Sequence, residues 1–379
     1  MLLWREEYFR KDIFVMKTIG FIGFGLIGGS IAKSIRSSHP EYHLAAYSRT
    51  RSSLEKALNE HTIDQIWDHV DNKFSCCDYI FLCTPVTCNA NYLKELKPLV
   101  KKGCIITDVG STKENIHDTV SSLSMEECFI GGHPMAGSER TGYEASSGLL
   151  LENAYYVITP TSQNKPEDIE QLKALVSDMG AIPLILNPKQ HDQVVAAISH
   201  LPHIIASALV NLVRDSDTKD EIMKQVAAGG FKDITRIASS SPVMWEQICM
   251  ENRTNLTQIL KKYITSLNGI LKDLEDADHS AIHNLFEESG EYRNSLQDHR
   301  SGALPKEYSI YCDIIDQAGA IATIATTLSV HQLNIKNIGI IHNREFEEGV
   351  LKIEFYDENS CKKASEILSS CHYQVYQRS

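Results

Sequence analysis

A glycine-rich segment near the N-terminus is the feature that most constrains the fold of this chain. The sequence Gly-Phe-Gly-Leu-Ile-Gly follows the apolar stretch 18–23 and opens the amphipathic stretch 26–36. Gly23 permits a tight turn, Gly25 lets a ligand approach the backbone, and Gly28 allows the helix to pack closely on the strand. The N–H groups and dipole at the helix start favour phosphate. The segment therefore predicts a dinucleotide-binding turn, with these contact residues: Gly23, Gly25, Leu26, Ile27 and Gly28.

The first third of the chain alternates between apolar, strand-like stretches and amphipathic, helical ones. Strands are predicted over 18–23, 44–47, 79–83, 104–108, 129–131 and 155–159, with helices over 26–36, 52–59 and from residue 112 onward. This alternation is typical of an α/β Rossmann-type, doubly wound sheet with parallel strands. Because ligands bind at the carboxyl ends of such strands, we expect Thr84 and Pro85 to contact the cofactor.

The end of the second predicted strand bears on the choice of cofactor. An acidic residue about 20 residues beyond the glycine turn normally bonds the ribose of NAD. This chain has Ser48, Arg49 and Arg51 in that region, with no carboxylate among residues 47–51. Two arginines suit the 2′-phosphate of NADP, although both could equally be solvated surface residues. The sequence therefore leaves NAD and NADP open.

The pattern changes twice further along the chain. From Asn187-Pro188 to about residue 297 the sequence shows almost no strand signal and long apolar stripes, which indicate helices that bury against each other or against a second subunit. After Leu304-Pro305 the pattern indicates a βαββαβ order, as in ferredoxin-like folds. The predicted segments are a tail (1–15), a dinucleotide-binding domain (16–187), a helical substrate and dimerisation domain (188–298), a linker (299–305) and a small βαββαβ domain (306–379).

The composition excludes several classes of protein. The net charge is −12, from 37 Lys and Arg against 49 Asp and Glu, which argues against a nucleic-acid-binding chain. No apolar run approaches the roughly 18 residues that span a bilayer, and residues 1–15 have no signal-peptide pattern. The ten cysteines include no Cys-x-x-Cys pair, which indicates free thiols and no metal cluster. We therefore expect a cytoplasmic globular protein.

Two segments of the first domain carry groups suited to catalysis. His133 stands between a glycine pair and a proline, on a backbone that allows close approach, and a histidine can take a proton from a hydroxyl near neutral pH. The alternative is a structural turn. Ser111 follows another strand end, where it could bond a substrate or the cofactor amide, or could cap a helix.

The helical region adds a second group of candidates. His200 and His203 are spaced i, i+3 on one helical face, without the third ligand that a metal site would need. Arg236 could clamp a carboxylate with its planar guanidinium, or could pair with Asp233 along the helix. Trp245 is interpreted as a packing residue.

Five of these segments together resemble the prephenate dehydrogenase family, in the form that carries a C-terminal ACT domain. They are Gly23–Ser30, Asp108–Lys113, Gly131–Glu139, Ser199–His203 and Gly229–Trp245. The resemblance covers nearly all of the chain from Met16 onward. The βαββαβ order and the turn at 316–319 are similar to an ACT domain, a module that often senses amino acids. The resemblance therefore implies tyrosine as a feedback ligand and a homodimer.

The resemblance also implies a reaction. It is the oxidative decarboxylation of prephenate to 4-hydroxyphenylpyruvate in tyrosine biosynthesis, with hydride transfer to NAD(P)+. His133 would accept the hydrogen bond and the proton of the ring hydroxyl, and Ser111 would help to hold that oxygen. Arg236 would bind a substrate carboxylate. The other pocket residues that the resemblance implies are His203, His200, Ser138, Glu139 and Gly230.

Several alternatives remain open at this point. Ser48 departs from the family pattern, in which an aspartate is common, so NAD is not the exclusive choice. Arogenate, which has an amine in place of the keto group, is an alternative substrate. A different β-hydroxyacid-type dehydrogenase could use Lys232 as its catalytic lysine, and a non-catalytic amino-acid and nucleotide sensor would bind the same ligands without turnover.

Overall fold

The computed structural model describes most of the chain. The described residues are 16–138, 140–298, 308–314, 319–341, 349–371 and 373–376. They form two compact units, which divide between Asp278 and His279. The predicted tail (1–15), Glu139 and the predicted linker (299–305) lie outside the described residues.

The first unit opens with a parallel α/β sheet. Its elements are β1 (Thr18–Ile22), α1 (Leu26–Ser38), β2 (His43–Tyr47), α2 (Arg51–Asn59), β3 (Gln65–Ile66), β4 (Tyr79–Leu82), α3 (Val86–Leu96), β5 (Ile105–Asp108) and α4 (Glu114–Ser122). The strand order is β3-β2-β1-β4-β5, and all neighbours are parallel. The order reverses between β1 and β4, which places a ligand crevice at their carboxyl ends. The predicted Rossmann-type sheet is confirmed here.

A second, three-stranded sheet continues from the edge of the first. It contains β6 (Ile130–Pro134), β7 (Tyr155–Pro160) and β8 (Ile182–Ile185), with α5 (Pro166–Asp178) between the last two. Strands β6 and β7 are antiparallel, so the prediction that every strand is parallel is wrong at this pair. In the described part of the connection between them (135–138 and 140–154), the short 3₁₀-helix Tyr143–Ala145 is the only helix. Without a helical crossover, the chain returns in the opposite direction.

Apolar side chains cover both faces of the parallel sheet. Along β4, Tyr79 and Phe81 enter one core cluster, whereas Ile80 and Leu82 enter the other. Phe81 stacks on Phe21 of β1, with ring centroids 5.5 Å apart. Because successive side chains of a strand point to opposite faces, a strand buried on both sides reads as a continuous apolar run.

The rest of the first unit is helical, as predicted. Its elements are α6 (Pro188–Val195), a π-helical turn (Ala196–His200), α7 (Leu201–Ser216), α8 (Ile222–Val226), α9 (Gly229–Thr235), a 3₁₀-helix (Arg236–Ser239), α10 (Pro242–Glu251) and α11 (Arg253–Glu275). No strand occurs between 188 and 278, all of which is described. Single π turns are frequent at functional sites.

The continuous helical stretch Pro188–Ser216 corrects one expectation. By length and composition alone it is apolar enough to cross a membrane, although the sequence analysis predicts no such stretch. It carries His191, Asp192 and His200, whose side chains are buried and bonded to neighbouring parts of the protein. These contacts are those of a helix that packs within a folded domain.

The second unit contains the predicted βαββαβ order. It begins with α12 (His279–Asp298), which the sequence analysis assigns to the helical domain, and continues with β9 (Tyr308–Ile314), α13 (Ala320–Val330), β10 (Ile335–Ile341), β11 (Gly349–Phe355), α14 (Glu358–Ser370) and β12 (Val375–Tyr376). The sheet order is β10-β11-β9-β12, with antiparallel neighbours. Ile310, Cys312 and Ile314 alternate along β9 into the core of this unit. All ten cysteines of the chain are free thiols.

Candidate active site

Two glycines of the turn after β1, Gly23 and Gly28, have no room for a side chain. Gly23 has a φ of +86°, and a Cβ atom there would lie 2.6 Å from the carbonyl oxygen of Cys83. A Cβ atom on Gly28 would lie 2.9 Å from the carbonyl oxygen of Gly23. The first glycine is therefore required for both conformation and space, and Gly28 for the close approach of α1 to the turn.

The start of α1 has the properties of a phosphate site. Gly25 is the N-cap of α1, and a Cβ atom built on it would meet none of the described atoms within 4 Å. Leu26 and Ile27 begin the helix, whose first turn carries no acidic side chain. Open space above exposed N–H groups at the positive end of a helix dipole suits an anionic pyrophosphate. These residues therefore fit a dinucleotide.

The end of β2 forms the wall of a cavity of about 380 Å³, lined in part by Ser48, Arg49 and Arg51. Arg51 forms an ion pair with Asp68, and its Nε donates to Glu55 Oε1 at 3.0 Å. These hydrogen bonds raise the pKa of Arg51, and the bond to Asp68 has the largest effect. Asp68, which was not among the predicted cofactor residues, also lines the cavity. A 2′-phosphate would therefore have to compete with two carboxylates for Arg51.

A buried ion pair lies below the carboxyl end of β5. Asp108 accepts hydrogen bonds from the N–H groups of Gly110 (2.9 Å) and Gly132 (3.1 Å), and it pairs with the ammonium of Lys113. The side chains of Asp108 and Lys113 are 1% and 0% exposed. The pair therefore ties β5 to β6 and to the start of α4. On the neighbouring strand end, Thr84 donates to Asn89 Oδ1 at 2.5 Å and Pro85 is the N-cap of α3.

His133 on β6 begins a chain of hydrogen bonds through two further side chains. Its Nδ1 lies 2.8 Å from His191 Nε2, and His191 Nδ1 lies 2.7 Å from Asp192 Oδ1. The Asp192 carboxylate also accepts from the N–H groups of Lys113 (2.7 Å) and Glu114 (2.9 Å). Asp192 thus caps α4, so Ser111 does not have the capping role that was its alternative.

Burial controls the charge of His133. The residue is 8% exposed, and burial, followed by the neighbouring His191 and Lys113, lowers its pKa well below 6.5. The neutral imidazole is therefore the dominant form at neutral pH, and a neutral imidazole can accept a proton. His133 lies within strand β6 and therefore does not form the structural turn that was its alternative, and its catalytic role stays a prediction.

His200 lies in the π turn and belongs to the same buried cluster. Its Nδ1 lies 3.2 Å from Asn252 Nδ2, which also donates to the carbonyl oxygen of Asp192 at 2.7 Å. Burial lowers the pKa of His200 to about 4. Within the described part of the chain, His200 Nε2 is buried and has no hydrogen-bond partner. A buried polar atom of this kind is suited to bind a ligand.

The other predicted substrate residues lie on a second cavity or on the surface. His203 stacks on Trp245, with ring centroids 3.6 Å apart, and both line a cavity of about 420 Å³. Arg236 is exposed at the start of the 3₁₀-helix Arg236–Ser239, which packs on α7. Ser138 and Gly230 are exposed.

Three residues of the buried cluster were missed by the sequence analysis. His191 and Asp192 stand side by side on the helix that follows Asn187-Pro188, where a His-Asp pair among apolar residues is a usable signal. Asn252 carries no comparable signal, because its role depends on contacts with residues 60 and 52 positions away.

A dinucleotide turn and a buried neutral histidine beside the same sheet define the chain as a dinucleotide-dependent dehydrogenase. Family models described as the nucleotide-binding and dimerization domains of prephenate dehydrogenase match residues 31–184 and 187–288. The prephenate dehydrogenase of Bacillus subtilis is 35% identical over 93% of this chain and 96% of its own length. The chain therefore belongs to the prephenate dehydrogenase family.

Two solved structures are similar to about three-quarters of this chain. Prephenate dehydrogenase from Aquifex aeolicus, in complex with hydroxyphenyl propionate and NAD+, aligns with a TM-score of 0.70 at 30% identity and covers 74% of this chain and 99% of that one. Arogenate dehydrogenase from Synechocystis aligns with a TM-score of 0.65 at 30% identity, over 74% of this chain and 99% of that one.

The buried ion pair gives a prediction about stability. Replacing Lys113 with Met leaves Asp108 buried without its cation, so we expect the free energy of unfolding to fall by about 3–5 kcal/mol. Lys101→Met is the matched control, because Lys101 pairs with Asp78 at 2.7 Å but both side chains are at least one-third exposed. It should cost no more than about 1 kcal/mol. Urea unfolding measures the free energy of unfolding of both variants. Equal losses in the two would contradict the prediction that the buried pair contributes more to stability than the exposed pair.

Proposed function

We propose that this protein is a prephenate dehydrogenase. It oxidises prephenate to 4-hydroxyphenylpyruvate and CO2 in tyrosine biosynthesis, as an oxidoreductase acting on CH–CH donors. The observation that carries the proposal is the neutral, buried His133, which is held through Nδ1 beside a sheet whose neighbouring turn fits a dinucleotide. A base in that position is what oxidation of a hydroxyl-bearing carbon requires.

The mechanism assigns each step to a residue. His133 accepts the proton of the ring hydroxyl at Nε2, because its Nδ1 is engaged by His191. Ser111, which lies between the end of β5 and α4, holds the same oxygen. When bound, the nicotinamide supplies the hydride acceptor. As the hydroxyl loses its proton, hydride leaves the ring carbon more readily, and the gain of aromaticity drives loss of the ring carboxylate.

Binding of the substrate uses residues of the helical region. Arg236 orients a carboxylate with its planar guanidinium. His203 contributes to binding of the substrate side chain, and His200 lines the pocket. The buried Nε2 of His200, which has no hydrogen-bond partner among the described residues, supports the assignment of His200. Ser138, Glu139 and Gly230 complete the proposed pocket.

Arogenate is the second candidate substrate, because a similar solved structure is an arogenate dehydrogenase. One assay separates the candidates: nicotinamide reduction by the purified chain with prephenate, arogenate and other hydroxy acids. We expect the highest kcat/KM with prephenate. A higher kcat/KM with arogenate would make arogenate the substrate in place of prephenate. Binding of these compounds without turnover would favour the non-catalytic sensor.

His133→Asn tests the catalytic base. The asparagine keeps a polar side chain but cannot take up the proton, so we expect kcat to fall by about 100-fold or more. The Kd for the cofactor, measured by fluorescence titration, should stay within a factor of two. Near-normal turnover would remove His133 from the mechanism.

The cofactor is proposed to be NAD, with NADP used less well. Arg51, which could bind a 2′-phosphate, already bonds Asp68 and Glu55. Arg49 is exposed at the same cavity and remains the other candidate contact.

Asp68→Asn should shift this preference toward NADP. Removing one carboxylate from the cavity lowers repulsion of the 2′-phosphate and releases one bond of Arg51, so the ratio of kcat/KM for NADP over NAD should rise by about 3- to 10-fold. Asp71→Asn is the control, because Asp71 pairs with Lys73 and does not line this cavity. An unchanged ratio in Asp68→Asn would contradict the assignment of Asp68 to the selection between NAD and NADP.

We propose that the second unit is an ACT domain that binds tyrosine. Its support is the βαββαβ order with the strand arrangement β10-β11-β9-β12. Tyrosine should inhibit the full chain, and truncation after Ala303 should abolish inhibition while leaving kcat within a factor of two. Phenylalanine, which lacks the phenol hydroxyl, is the control ligand. Inhibition that survives truncation places tyrosine in the catalytic pocket instead.

A cytoplasmic homodimer is proposed as the working form. Helix α11 exposes apolar side chains with alternating spacings of three and four residues, as in the seam between two packed helices. They are Ile264, Leu267, Leu271 and Leu274, each more than 40% exposed.

A further inference from the structure

Asp192 lies between the two branches of the buried cluster. Its side chain bonds His191, which contacts His133, and its backbone carbonyl accepts from Asn252, which contacts His200. We propose that Asp192 fixes His133 and His200 in opposite tautomers, so that His133 presents a hydrogen-bond acceptor to the ligand and His200 presents a donor. His191 and Asn252 transmit this effect, and they are positioning residues.

The side-chain branch determines the tautomer of His133. The Asp192 carboxylate is buried, caps α4 and accepts one backbone N–H group at each oxygen, so both oxygens act as hydrogen-bond acceptors. His191 must therefore donate from Nδ1, which leaves its Nε2 as a lone pair. His133 must then donate from Nδ1 to that lone pair. The remaining ring nitrogen of His133, Nε2, is consequently an acceptor.

The backbone branch determines the tautomer of His200. A carbonyl oxygen only accepts, so the Asn252 atom that lies 2.7 Å from the Asp192 carbonyl is the amide nitrogen. This orientation is supported by Asn255, whose Nδ2 donates to Asn252 Oδ1 at 2.8 Å. Asn252 therefore also donates to His200 Nδ1, at 3.2 Å. The proton of His200 then resides on Nε2, the buried atom that has no partner among the described residues.

The two tautomers match the two kinds of group on a hydroxylated carboxylic acid. His133 Nε2 can accept from a hydroxyl, and His200 Nε2–H can donate to a carboxylate or carbonyl oxygen. The two rings are close enough for His200 to contribute to lowering the pKa of His133. The use of these atoms on substrate rests on the proposed function, whereas the tautomers themselves do not.

Nitrogen NMR with isotopically labelled histidine tests the tautomers in the full chain without substrate. We expect His133 and His191 to be protonated on Nδ1 and His200 on Nε2, with assignments made from His→Gln variants. Asp192→Asn introduces an amide that can donate to His191, so His133 should lose its Nδ1-protonated signal. A wild-type His133 protonated on Nε2 would overturn the proposal.

Kinetics of two His191 variants test whether the tautomer matters for turnover. The amide oxygen of His191→Gln can accept from His133 Nδ1, whereas His191→Leu cannot. We expect kcat to fall by about 100-fold or more in His191→Leu, and by less than about 10-fold in His191→Gln, with KM for substrate little changed in either. Equal losses in the two variants would show that His191 acts only by packing, and would overturn the proposal.

His117→Leu is the control for loss of another histidine of the same domain. His117 is half-buried on α4, and its Nε2 lies 2.9 Å from Thr159 Oγ1, outside the hydrogen bonds that link Asp192 to His133 and His200. The kcat of His117→Leu should stay within a factor of two of the wild-type value when the two proteins have the same folded fraction. The NMR measurement also separates failure of this proposal from failure of the proposed function. A chain without dehydrogenase activity would still show the predicted protonation of the three histidines.

Discussion

The carboxylate of Asp192 connects the helical region to the nucleotide-binding sheet. Its oxygens accept the first N–H groups of α4, and one of them also holds His191. A helix N-terminus favours a negatively charged acceptor, and the carboxylate of Asp192 occupies that position at the start of α4. The orientation of His133 depends on this contact, because His191 lies between them. The stability of α4 and the geometry of the proposed base therefore share one physical cause.

Burial adds the second constraint. His133 and His200 are neutral because burial lowers the pKa of each, and His133 also lies near the cation of the buried pair of Asp108 and Lys113. Since neither ring carries a charge at neutral pH, the two histidines differ in which ring nitrogen carries the proton. A buried network can set that position only when its hydrogen bonds are complete, which is why a side-chain substitution at Asp192 is expected to affect His133. The branch to His200 begins at the backbone carbonyl of Asp192, which such a substitution keeps.

Much of the fold could be predicted because its signals are local. The glycine turn, the apolar strands and the helical stripes each lie within a short window, and the predicted order β1-α1-β2 agrees with the structure. The direction of β7 could not be predicted in this way. An apolar strand has the same pattern whether it runs parallel or antiparallel. The deciding feature is that the described residues of the 135–154 connection form no crossover helix.

The candidate site was harder to predict because its contacts are distant in sequence. His133 was identified from its glycine and proline neighbours, but its partner His191 lies 58 positions away. Arg51 was interpreted from its positive charge alone, whereas its partner Asp68, 17 positions away, reduces its availability for phosphate. Formal charge is a poor guide here for the same reason. A chain with a net charge of −12 can bind anions through helix N–H groups and a histidine N–H, neither of which contributes to that sum.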